Sequence, residues 1–256
     1  MSAGDESEEG GLDRRHDAED DLQALSMMGY DAVALGEKEF SHGLDFLTKQ
    51  IAKHPFLVSS NVVWAENWLP LARTVRYNVY RLKAAPGRPA AVLRVAILGF
   101  LTTKRKPDVD RYLGRDAARV LILDPIVEAK KQVAKARHNA NLVVVLAHMD
   151  EEQAKELVRQ VPGIDVLVIG DMQWRTIVVP MRLNGTLIVA NSNTGRRVGS
   201  LTVALDAKGR IESTRGGEQV IGQEFPEDPE VAEALAKIAQ ARTGQVSAPS
   251  PQPAGP

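Results

Sequence analysis

The 256-residue chain has no cysteine, so it forms no disulfide and offers no thiolate to a metal. Any metal site must then be built from His, Asp, Glu or Gln, a donor set suited to Mn, Mg or Fe. No apolar run reaches the length of a bilayer-spanning helix, and the residues after Met1 lack the basic, apolar and small-residue order of a signal peptide. Excess charge of either sign is also missing: 32 Lys and Arg face 33 Asp and Glu, and the basic residues are spread along the whole chain. That distribution leaves no electrostatic footprint for nucleic acid. What remains is an ordinary globular composition, 44% hydrophobic and 25% charged, in a chain long enough for a large α/β domain with a real core.

Along the chain, nine of the residues from 5 to 21 are Asp or Glu, which reads as an acidic, solvated segment over 1–21. A helix is expected from near Asp20 through "DDLQALSMMG", with Leu22, Leu25 and Met28 on one face and Gly29 at its end. The folded domain is expected over 22–224. In it "YDAVALG" reads as a strand, "GLDFLTKQIAK" as a helix and "FLVSSNVV" as a buried strand. "VRYNVYRLKA" and "AVLRVAILGFL" are strands separated by the turn "APGRP", and the charged stretch "TTKRKPDVDRYLGRD" reads as a loop. Helices at "DPIVEAKKQVAKARHNA" and "EEQAKELVRQV" alternate with the apolar strands "NLVVVLAH" and "DVLVIG", the pattern of a layered α/β domain. Hairpins follow, with turns at Asn184-Gly185 and Lys208-Gly209. A linker-type helix is expected over 225–243 and a disordered Pro- and Ser-rich tail over 244–256.

Three of the strands end in polar residues: "GEKE" at 36–39, "AHMD" at 147–150 and "GDMQ" at 170–173. Open α/β sheets bind ligands outside the carboxyl ends of their strands, so these three turns are candidates to converge on one site.

The stretches "DAEDDLQALSMMGYDAVALGEKEFSHGLDFL", "FLVSSNVV", "VAILGFLTT", "NLVVVLAHMD", "IDVLVIGDMQ" and "ANSNTGRRVGSLTVALDAKGRI", with Gly4-Asp5 before them, resemble the metallophosphoesterase domain of the 5'-nucleotidase and UDP-sugar hydrolase family. The resemblance covers nearly the whole folded part and implies a four-layer α/β sandwich, here without the N-terminal strands of the sheet. It also implies a site where two metals about 3.5–4 Å apart clamp a phosphoryl group and activate water. By this resemblance Asp5 matches the bridging aspartate, His148 the histidine that follows a core strand, and Gln173 the glutamine of the last motif. Glu37 stands where the family has a metal-binding Asn, Lys38 where it has the catalytic His, and Asp171 where it has a His ligand. The Asp-x-His motif has no counterpart.

The resemblance thus implies one surviving site of Asp5, Glu37, His148 and Asp171, with Asp5 and Gln173 left over from the other. It takes either one divalent metal (Mn, Fe or Mg) or none. Crowded carboxylates without a cation repel. Lys38 has two readings: its ammonium pairs with Glu37 or Asp171 and replaces a metal, or it stabilises a phosphoryl oxygen as a catalytic group. Two functions follow. One is an impaired phosphoesterase domain that binds a small phosphorylated molecule, or a protein partner at an open sheet edge; the other is a single-metal phosphoester hydrolase. Met1 as the true start implies the cytoplasm, whereas the family resemblance implies a periplasmic or secreted protein with an upstream signal.

Overall fold

A computed structural model of the chain describes residues 14–83, 90–172, 177–191, 196–206, 209–222 and 225–246. Asp5, Gln173, the turn "APGRP", Lys208 of the second hairpin turn and the tail from 247 onward lie outside the described residues.

The central element is a six-stranded mixed sheet. Its strands are β4 (Val75–Leu82), β5 (Ala91–Leu101), β7 (Leu142–His148), β8 (Val166–Ile169), β10 (Thr186–Ala190) and β9 (Ile177–Leu183), in that spatial order. The inner four are parallel, and β4 and β9 close the two edges antiparallel. Asn184 and Gly185, both at positive φ, turn β9 into β10 as the Asn-Gly signal predicts.

The inner strands are near-continuous apolar runs because both faces of the sheet are covered. Alternation sorts the residues. On one face Ala96, Leu98 and Phe100 of β5 and Val143, Val145 and Ala147 of β7 pack against Ala129, Val133 and Ala136 of α4 (Pro125–Asn139) and Leu157 and Val158 of α5 (Glu151–Gln160). On the other, Val95 and Ile97 of β5 and Leu142, Val144 and Leu146 of β7 meet two small sheets. One is β1 (Val33–Ala34) paired parallel with β2 (Leu57–Val58); the other is the hairpin β11 (Arg197–Leu205) and β12 (Ile211–Val220).

Outside β1 and β2 lie α1 (Arg14–Met27), α2 (Leu44–Lys53) and α3 (Lys106–Leu113), around a second core that contains Phe40, Leu44, Leu101 and Val109. Phe40 and Phe100 are fully buried, worth about 2–3 kcal/mol each. The chain is therefore a layered α/β domain, as the sequence predicts.

The details differ in three places. First, α1 is already helical at Arg14, upstream of Asp20; it buries Ala18, Leu22 and Leu25, and Met28, just past its end, is exposed. Second, "FLVSSNVV" is two strands, β2 and β3 (Val62–Trp64), split at Ser59-Ser60-Asn61. The break is held by Asn61, which is fully buried. Its Nδ2 donates to the Leu101 and Leu123 carbonyls at 2.7 and 2.8 Å, and its Oδ1 accepts from the Leu101 N–H at 3.0 Å. Third, the charged stretch after β5 holds α3, with Pro107 in its first turn and Val109 and Leu113 buried. It leads to β6 (Val120–Ile122), which pairs antiparallel with β3.

Candidate functional site

The parallel strands deliver their carboxyl ends to one end of the sheet, and the turn after β1 joins them. That turn, Gly36 to Phe40, is pinned at both sides. Phe40 is buried in the second core, and the buried Glu39 carboxylate accepts from the Gly36 N–H at 2.6 Å. Glu37 is thereby fixed in the interior, 5% exposed, and Lys38 opens the 3₁₀ turn half-buried beside it.

His148 is the last residue of β7 and is 1% exposed; its carbonyl is tied to the Thr102 N–H at 3.1 Å. Its Nε2 lies 2.7 Å from Glu37 Oε2, joining residues 111 apart in the chain. So two of the predicted residues, Glu37 and His148, are brought into direct contact.

Asp171, just past β8, is held by a residue the sequence reading passed over. Arg105 places Nη2 2.6 Å from Asp171 Oδ2, Nε 3.5 Å from Glu37 Oε1 and Nη1 3.4 Å from Asp108 Oδ2. A guanidinium delivered by the end of β5 thus bridges Glu37 and Asp171. A signal for it existed. β5 ends at this same edge, and the strand-end rule that selected "GEKE", "AHMD" and "GDMQ" applies equally to "GFLTTKR".

Local structure explains why Arg105 alone of its basic run points inward. Thr102 caps the short turn Thr103–Arg105, its Oγ1 accepting from the Lys104 N–H at 3.3 Å and from Gln153 Nε2 at 2.7 Å. Lys104 pairs outward with Asp150 at 2.9 Å, and Lys106 pairs along α3 with Asp110.

The electrostatics follow from this arrangement. Burial pushes the Glu37 carboxyl up, but the hydrogen bond to His148, the charge of that ring, a backbone N–H and Arg105 outweigh it and hold the pKa at about 2. Burial likewise pulls Arg105 down, while Asp171 and Glu37 more than reverse it and leave the guanidinium firmly charged.

As they stand, these residues do not fit a divalent ion. Glu37 and His148 are engaged with each other and Asp171 with the guanidinium. Among the described residues no group of three His, Asp or Glu side chains is arranged to hold a metal. No helix among them is long and apolar enough to cross a membrane.

No protein-family model matches the chain. In fold it is similar to the calcineurin-like phosphoesterase YfkN from Bacillus subtilis, with a TM-score of 0.74 at 21% identity over 90% of this chain and 75% of that one. It is also similar to a 5'-nucleotidase precursor from Thermus thermophilus, with a TM-score of 0.68 at 26% identity over 91% of this chain and 47% of that one. The architecture is therefore that of the calcineurin-like phosphoesterases. In sequence, bovine 5'-nucleotidase is 26% identical over 228 residues, which is 81% of this chain and 38% of that protein. The likeness to the 5'-nucleotidases covers most of this chain, which spans well under half the length of that relative.

Proposed function

We propose that this domain is impaired in phosphoester hydrolysis and acts as a binding or scaffold module, with the converted site as its structural centre. One observation carries the reading: Glu37 and His148, at positions the family gives to metal ligands, are joined by a buried 2.7 Å hydrogen bond. A metal clamp needs those lone pairs turned toward the ion. The ligand on this reading is a small phosphorylated molecule or a protein partner. Asp5 and Gln173 belong to the proposed site by motif alone.

The test is hydrolysis of p-nitrophenyl phosphate, its bis ester and AMP by the full chain with Mn, Mg, Fe or Co added. No turnover above the protein-free blank is expected with any of them. Metal-dependent turnover that Glu37→Gln and His148→Ala both abolish would establish the single-metal hydrolase instead.

A further inference from the structure

The region between Glu37 and Asp171 is filled by a group that resembles a metal ion in charge and in fixity. Guanidinium is planar, permanently charged and able to present several N–H groups to different carboxylates at once. Here one Arg105 side chain faces three: Asp171 at 2.6 Å, Asp108 at 3.4 Å and Glu37 at 3.5 Å. The Glu37 and Asp171 side chains are only 7% and 18% exposed, so water does little to screen their repulsion. A cation is required for both to stay ionised.

Its placement is rigid. The residue sits between the capped turn after β5 and the first turn of α3, whose Val109 and Leu113 anchor it in the second core. The fixed backbone presents the guanidinium to the three carboxylates from one position.

Resting on the reading of an impaired domain, we propose that Arg105 is the built-in cation of this site. It holds the Glu37 and Asp171 carboxylates in place of a divalent metal, and it excludes one. The corollary is specific. Removing the charge should leave the three carboxylates that face it, Glu37 through Oε1, Asp108 and Asp171, as a hard oxygen set that takes Mn²⁺.

The experiment measures Mn²⁺ binding to the full chain without substrate, from the loss of the free Mn²⁺ paramagnetic resonance signal. The wild type is expected to bind none at about 1 mM Mn²⁺, and Arg105→Gln to bind one ion per chain at least about tenfold more tightly than any residual wild-type binding. Arg105→Lys, which keeps the charge, and the double variant Arg105→Gln/Asp171→Asn should both return to the wild-type result. One Mn²⁺ per wild-type chain would overturn the inference, as would a folded Arg105→Gln that binds none. If Arg105→Gln is unfolded when purified, its refolding yield with and without Mn²⁺ decides: recovery only with Mn²⁺ supports the inference, and recovery indifferent to Mn²⁺ overturns it. Wild-type hydrolysis of phosphoesters would overturn the functional reading instead, and that is measured separately.

Discussion

Glu37 keeps its charge in a place where burial alone would remove it, and the pairing that permits this makes its contribution dependent on pH. The folded carboxyl has a pKa of about 2 against 4.5 for the free side chain. Because the folded value is the lower one, the unfolded chain takes up the proton first as pH falls. The stabilisation is therefore complete above about pH 4.5 and is lost progressively between 4.5 and 2. At about 1.4 kcal/mol per unit the whole effect is on the order of 3 kcal/mol. Urea unfolding of the wild type and Glu37→Gln should show their stability difference shrinking toward the acid end between about pH 6 and about pH 3. A constant difference would mean that Glu37 is not the charged partner described. At this scale the motif made Glu37, His148 and Asp171 legible, since each closes or follows a strand. The strand-end rule reaches the basic run that holds Arg105 but does not single out the residue, for a physical reason. One arginine in Lys104-Arg105-Lys106 has no pattern to mark it as the inward one, and its direction is set by the Thr102 cap and by α3.

Elements were legible where their period was clean. The fully buried runs of β5 and β7 and the helices α4 and α5 follow the predicted segments, because apolar continuity and helical spacing survive in the sequence when the core is two-sided. The helix α3 was hidden because only Val109 and Leu113, one turn apart, show its buried face within a charged stretch. The break inside "FLVSSNVV" was hidden because the hydrogen bonds of Asn61 join it to residues 40 and 62 positions away. A single residue in β5 sets how closely the layers meet. A Cβ on Gly99 would lie 2.8 Å from the Val58 carbonyl oxygen and 3.0 Å from Ala34 Cβ, so the absent side chain lets β5 lie against β1 and β2. The nearest obstacle is backbone and cannot rotate away. Gly99→Ala should cost about 1–3 kcal/mol, measured by urea unfolding. The same variant should also weaken the site, because β1 carries Glu37. A loss below about 0.5 kcal/mol would show that the two layers separate easily.

The molecule as a whole presents a sheet that ends in β4, which has no strand on its outer side among the described residues. Tyr77, Val79, Tyr80 and Leu82 are exposed on that strand and Val92 on its neighbour, an apolar edge of the kind that recruits another strand. This edge is where the proposed protein partner would add by β-pairing. Arg76 and Arg81 interrupt it. If the β4 edges of two copies paired antiparallel, Arg76 and Arg81 of both would crowd one short seam, and that concentration of like charge disfavours the pairing. Arg81 faces solvent, so replacing it alters the edge and leaves the core untouched. Arg81→Val removes the repulsion and extends the β-branched run. It should shift the chain toward dimers or larger species in light scattering coupled to size exclusion, with thermal stability unchanged within about 0.5 kcal/mol. Arg81→Glu, which offsets one of the two positive charges each copy brings to the seam, should also promote pairing, but in a salt-sensitive way. If both variants associate no more than the wild type, the exposed edge is guarded by something other than its arginines.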